Sequence, residues 1–188
     1  MSLPSTTHIA LLRGINVGTA KRVAMADLRG LFKDLGYGDV RTLLNSGNVV
    51  FTATVAAKGD PAARIQKALL ARTGVEARVL TRTAAELERV VAKNPLLGVA
   101  TDPSRHLVAF LSSTLEQSRL KPLLARDWGA ERVARGPGVA YLWLPGGILH
   151  SPLGRALERA MGDRVTSRNW ATVLKLAALA GVPPRPAR

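Results

Sequence analysis

The order of segments constrains this chain most, because the same series is read through twice. Strands show as period-2 or wholly apolar runs, and helices as apolar residues three and four apart. His8–Arg13 reads as a strand, with Ile9, Ala10, Leu11 and Leu12 apolar on both faces. Met25–Leu35 reads as a helix with Met25, Leu28, Leu31, Phe32 and Leu35 on one stripe, and Gly36 ends it in a left-handed conformation. Val40–Leu44 and Asn48–Thr52 are predicted strands around the hairpin signal Asn45-Ser46-Gly47. Asp60 caps a second helix opened by Pro61, with Ile65, Ala68 and Leu69 inward and Gly74 at its end. Ala77–Leu80 is the fourth strand, and Thr83 with Glu86 makes a capping box for a third helix carrying Leu87, Val90 and Val91 inward.

After Asn94-Pro95 the order starts again. His106–Leu111 is an apolar strand. Thr114 and Gln117 suggest a capping box for a helical segment that Pro122 interrupts or restarts. Arg132–Arg135 and Val139–Leu144 flank Gly136-Pro137-Gly138 as a second pair of strands. Ser151 caps and Pro152 opens a helix with Leu153, Leu157 and Met161 inward, ended at Gly162. Arg164–Thr166 is a short strand. A last helix is expected from about Arg168 to Ala180, with Trp170, Val173, Leu174 and Ala177 inward and Gly181 after its end. The expected class is therefore α+β: two ferredoxin-like βαββαβ halves, each with an extra helix. The boundaries are residues 6–93 for the first half, 94–105 for a connector, 106–182 for the second half and 183–188 for a loose tail.

Composition removes several alternatives. A chain of 188 residues can bury about 70% of its surface, enough for one large core or two small ones. Apolar residues make up 47% and charged residues 21%, which excludes wholesale disorder. No unbroken apolar stretch reaches the length of a membrane span, and Met1–Thr7 has no signal-like pattern. Zero cysteines exclude disulfides and thiolate chemistry, so the expected location is the cytoplasm. The expected state is a monomer or simple dimer without metal or cofactor. The net charge of +14 favours an anionic partner, yet the basic residues are scattered and arginine-rich, as a GC-rich genome would also make them.

Three stretches are more specific than patterning requires: Ala10-Leu-Leu-Arg-Gly-Ile-Asn-Val-Gly18, Leu44-Asn-Ser-Gly-Asn-Val-Val-Phe51, and Thr166-Ser-Arg-Asn-Trp170 followed by Thr172-Val-Leu-Lys-Leu176. With Tyr141-Leu-Trp-Leu-Pro145 they resemble the bacterial family called domain of unknown function 1697, over about residues 6–182. The resemblance implies a two-part α+β fold of ferredoxin-like elements, and it implies no settled activity. Thr19 stands where that family commonly has a second glycine, so a role needing bare backbone there does not carry over.

The candidate site residues follow from chemistry. The first loop holds Arg13, Gly14, Asn16 and Gly18, with Lys21 and Arg22 close by, and leads into a helix. Such a loop can present backbone N–H groups to an anion. It lacks the Gly-Lys-Ser/Thr ending of a Walker A loop and the glycine spacing of a dinucleotide fingerprint. Ser46 and Asn48 sit at the hairpin tip, where turn chemistry alone accounts for polar residues. Arg168 is expected near a helix start, where the macrodipole disfavours a cation by ~0.3–1 kcal/mol, so it wants a carboxylate or a bound anion. Asn169 beside it either caps that helix or touches a ligand. His8, His106 and His150 share no metal-ligand spacing, and no nucleophile motif is present.

Three functions compete. The first is binding of a small anionic ligand, phosphate- or carboxylate-bearing, in one cleft between the halves, lined by Arg13, Asn16, Ser46, Asn48, Arg168 and Asn169. The second is nucleic-acid binding through the basic surface. It is opposed by a 4% aromatic content and by the absence of an RNP1-like third strand, leaving weak non-specific binding as the expectation. The third is a protein-interaction module. Whether the protein is an enzyme is left open.

Overall fold

A computed structural model describes residues 4–17, 22–54 and 59–184. The first half contains β1 (Ser5–Arg13), α1 (Met25–Asp34), β2 (Gly38–Leu43), β3 (Asn48–Thr54), α2 (Pro61–Thr73), β4 (Arg78–Thr83) and α3 (Ala84–Ala92). The second contains β5 (His106–Leu111), a 3-10 helix (Thr114–Leu120) running into α4 (Lys121–Ala125), β6 (Arg132–Gly136), β7 (Val139–Trp143), α5 (Pro152–Met161), β8 (Val165–Asn169) and α6 (Trp170–Leu179).

The two sheets repeat one arrangement. Their orders are β2-β3-β1-β4 and β6-β7-β5-β8, with every adjacent pair antiparallel. Each is the strand order of a ferredoxin-like unit, so the fold is α+β with two similar halves. Alternation along the strands fills one core per sheet. Ala10, Leu12, Val49 and Phe51 meet Leu28, Phe32, Ile65 and Leu69 from α1 and α2. Ala109, Leu111, Ala140 and Leu142 meet Leu123, Leu153, Leu157 and Met161 from α4 and α5. The opposite faces of β1 and β5, with Ile9, Leu11, Val108 and Phe110, are buried as well, in keeping with their apolar character on both sides.

The chain divides into two compact units. One comprises Met1–Leu87 with Leu176–Pro184, and the other is Glu88–Lys175. The division runs through α3 and α6, and residues 94–105 lie inside the second unit.

Several local expectations change. Leu44 leaves β2 because it takes a left-handed φ of 58° at the hairpin. β4 continues to Thr83 and β8 to Asn169, since His8–Arg13 and Leu107–Leu111 offer ladder partners along those lengths. Arg168 therefore belongs to a strand, and α6 begins at Trp170. Leu174 is 42% exposed, because the buried stripe of α6 runs through Trp170, Val173, Ala177 and Ala180 and turns Leu174 outward. The segment from Thr114 is a 3-10 helix whose cap Ser113 makes no side-chain bond, and Pro122 opens α4. The side chain of Thr114 lies outside the described residues. Among the described residues no helix is long and apolar enough to cross a membrane.

Candidate functional site

Among the described residues five helices have nine or more residues, and four of them start on a capping side chain. Asp60 accepts from Ala62 N (3.1 Å) at α2, and Thr83 and Glu86 bond reciprocally at α3. Ser151 Oγ accepts from Gly154 N (2.7 Å) at α5, and Asn169 Oδ1 accepts from Thr172 N (2.9 Å) at α6. The exception is α1, whose cap position is Ala24, a residue with no acceptor. Its extended backbone (φ −67°, ψ 139°) is that of an ordinary N-cap. Ala24 thus offers the first-turn N–H groups of α1 no side-chain acceptor of the kind found at the caps of the other long helices.

A cavity of about 420 Å³ opens at this helix start, lined by Asn16, Arg22, Val23, Ala24, Met25 and Asn45. Its walls come from three segments that one side chain ties together. Asn16 Oδ1 accepts from Val23 N (2.8 Å), while Nδ2 donates to Val23 O (3.0 Å) and Asn45 O (2.8 Å). Asn16 holds a left-handed φ of 55° to do so, a conformation asparagine tolerates better than most residues. Gly14, at φ 78°, makes the turn that leads out of β1.

The hairpin tip is fixed just as firmly. Asn48 is fully buried and donates to Leu43 O (3.0 Å) and Ser46 Oγ (2.9 Å). Gly47 O accepts from Leu12 N (2.8 Å), which pins the tip to β1. A Cβ at Gly47 would lie 2.7 Å from Leu12 Cβ and 2.9 Å from Ile15 Cδ1, and its φ is 73°. Only glycine fits there.

The sequence candidates fall into two groups. Asn16 lines the cavity directly, while Ser46 and Asn48 shape the hairpin that delivers Asn45 to it. Arg13 ends β1 opposite Arg78 of β4, and Gly18 lies outside the described residues. In the second unit, Arg168 pairs with Val108 in the β5–β8 ladder. Its Nη1 donates to Thr166 Oγ1 (3.0 Å) and Ser167 O (2.8 Å). Burial pulls its pKa down to about 10, so it stays a cation at neutral pH. Asn169 is the cap of α6. Sequence reasoning left Arg22 as a neighbour only and did not select Asn45 or Ala24. The usable signal was a helix start, Val23-Ala24-Met25, with no Ser, Thr, Asp or Asn before the apolar stripe.

His106 is the other buried polar group of note. It is fully buried, stacks on Trp170 (5.2 Å between centroids) and sits with Nε2 3.3 Å from Asn94 Nδ2. Asn94 Oδ1 accepts from Leu96 N (3.0 Å), which turns the amide donor toward the ring and makes Nε2 an acceptor. Burial lowers the His106 pKa to about 4. Among the described residues no three His, Asp or Glu side chains gather as a metal site would need.

The model of the family described as protein of unknown function, DUF1697, matches residues 5–141. The chain belongs to that family. A conserved bacterial protein from Streptococcus pneumoniae aligns over 94% of this chain and 99% of its own, with a TM-score of 0.71 and 21% identity, so this DUF1697 chain shares its fold. An unknown protein from Galdieria sulphuraria aligns over 88% of this chain and 97% of its own at 15% identity, with a TM-score of only 0.26. No curated protein matches.

Proposed function

We propose that this DUF1697 protein binds a small oxyanion, a phosphate or a carboxylate, in the cavity at the start of α1. The observation that carries the reading is that α1, alone among the described long helices in having a cap residue with no acceptor, opens into a cavity with an arginine on its wall. The first-turn N–H groups, which no cap side chain at Ala24 engages, and the positive end of the macrodipole favour an anion at that point. Arg22 adds a charged donor with a planar fork suited to carboxylate or phosphate, and the Asn45 side chain can donate a further bond. Asp27 also sits in the first turn, but it is exposed, so solvent screens its charge. In this reading Asn16 is a positioning residue, because its amide is engaged with Val23 and Asn45.

Titration calorimetry at low ionic strength with inorganic phosphate and with acetate tests the reading. Binding weakened about tenfold by Arg22→Ala is expected, the scale of one charge-assisted hydrogen bond. Binding that is absent at millimolar concentration, or indifferent to Arg22→Ala, overturns it.

A further inference from the structure

The ring of His106 is held in a way that only its neutral form tolerates. Asn94 follows α3, and its side chain works in two directions. Its Oδ1 accepts from Leu96 N (3.0 Å), and its Nδ2 is turned to His106 Nε2 (3.3 Å). Nε2 is therefore the acceptor, and the ring's own proton sits on Nδ1, a buried atom with no hydrogen-bond partner among the described residues. A second proton would make Nε2 a donor pointing at a donor. Both nitrogens of a fully buried cation would then lack an acceptor, which is costly.

The charged groups around the ring do not offset this. Trp170 stacks on it and Trp143 stands opposite it in β7, and neither titrates. On the same face of the sheet are Arg168 of β8, opposite Val108, and Arg132 of β6, opposite Trp143, both cations. Glu88, Arg89 and Lys93 around the end of α3 and Lys175 of α6 are exposed. Asp102 and Arg105, just before the ring, pair with each other (3.4 Å). Burial alone accounts for the lowered pKa of His106, with no carboxylate opposing it. The acceptor that a turned Asn94 amide brings to Nε2 is its own Oδ1, which Leu96 N already uses. Leu96 is the root of the turn that follows, because its carbonyl accepts from Val99 N (3.0 Å) and Ala100 N (2.8 Å). Of residues 95–100 only Leu96 is buried, so little else holds the segment.

We propose that His106 is an acid-operated latch on this turn: protonation draws Asn94 Oδ1 from Leu96 N to the ring, and residues 94–100 come loose while the sheet of β5–β8 stays folded. Two donors, the imidazolium and Leu96 N–H, then compete for one side-chain oxygen, and the charged donor makes the stronger bond. The latch lies in the second unit and is independent of the anion cavity at α1.

Nuclear magnetic resonance on the full chain, titrated from pH 7 down through the His106 midpoint, tests this in the wild type, Asn94→Asp and His106→Phe. In the wild type the amide signals of Leu96, Val99 and Ala100 should leave their folded positions with the same midpoint as the His106 ring, while those of Ala109 and Ala140 keep theirs. Asn94→Asp offers acceptors to the ring and to Leu96 N together. It should raise the ring's midpoint by roughly one unit or more and hold the turn's signals in place as the ring titrates. His106→Phe keeps a ring against Trp170 and removes the proton, so its turn signals should not move over the same range. It keeps the test open if Asn94→Asp does not fold. Turn signals that stay fixed while the wild-type ring titrates overturn the latch. So do turn signals that move equally in either variant, or Ala109 and Ala140 signals lost at the same midpoint as those of the turn.

Discussion

At the scale of single residues, burial and conformation each leave a measurable mark. His106 is neutral in the fold, with its pKa lowered from 6.5 to about 4. Below pH 6.5 the unfolded chain binds a proton that the folded chain refuses. Stability contributed by neutral His106 is therefore complete above pH 6.5 and lost as pH falls toward 4, a total of about 3 kcal/mol. Urea denaturation across that range should show the loss, and the His106 ring signals should titrate near pH 4. A titration midpoint at 6 or above would contradict the buried, neutral ring. Leu44 gives the opposite kind of mark. Leu44→Asn relieves the left-handed leucine and should raise stability by roughly 1 kcal/mol, read as a higher melting temperature. Gly47→Ala combines positive φ with a Cβ 2.7 Å from Leu12 Cβ, and should cost about 2–4 kcal/mol in the same assay.

At the scale of elements, the helix starts separate folding from function. Ser151→Ala removes the acceptor for Gly154 N and should destabilise the protein by about 1 kcal/mol. Ala24→Asp supplies α1 with the cap it lacks, on a backbone already in the right conformation. It should stabilise the protein by about 1 kcal/mol and abolish phosphate binding, because the new carboxylate occupies the helix start. Thermal melts and calorimetry on the one variant read both effects. Stabilisation with undiminished phosphate binding would place the anion elsewhere. Element ends also mark where sequence reading was sound. The caps at Asp60, Thr83–Glu86 and Ser151 and the glycine stops at Gly36 and Gly74 were legible because each depends on a side chain or on φ at a single position. The extent of β4 and β8 was not legible, because a strand runs as far as its partner β1 or β5 offers hydrogen bonds.

At the scale of the whole molecule, the first unit includes a segment from far along the chain. Leu176, Ala177, Ala180 and Val182 are buried, and Leu176–Pro184 belongs to the same compact unit as Met1–Leu87. A chain ending at Lys175 should lose about 4 kcal/mol from the apolar surface of those residues alone. Hydrogen exchange should show lost protection in β1–β4. Protection that is unchanged would mean the first unit is closed without its last segment. The net charge of +14 should give weak nucleic-acid binding that is indifferent to sequence and falls steeply with salt. Sequence discrimination at physiological salt would instead favour a nucleic-acid function.

The twofold series of strands and helices is readable along the chain, because hydrophobic period and end signals are local properties. The sequence also marked the loop after β1 and the Asn45-Ser46-Gly47 hairpin as special. It did not determine that these two meet at α1. Asn16 and Asn45 are 29 positions apart, and the β1–β3 ladder, the bond from Leu12 N to Gly47 O and the bond from Asn16 Nδ2 to Asn45 O hold the hairpin against the loop. The exposure of Leu44 and the turn of Leu174 away from the core were likewise settled in three dimensions. A residue's polarity sets what it prefers, but the packing of distant segments decides which face it occupies.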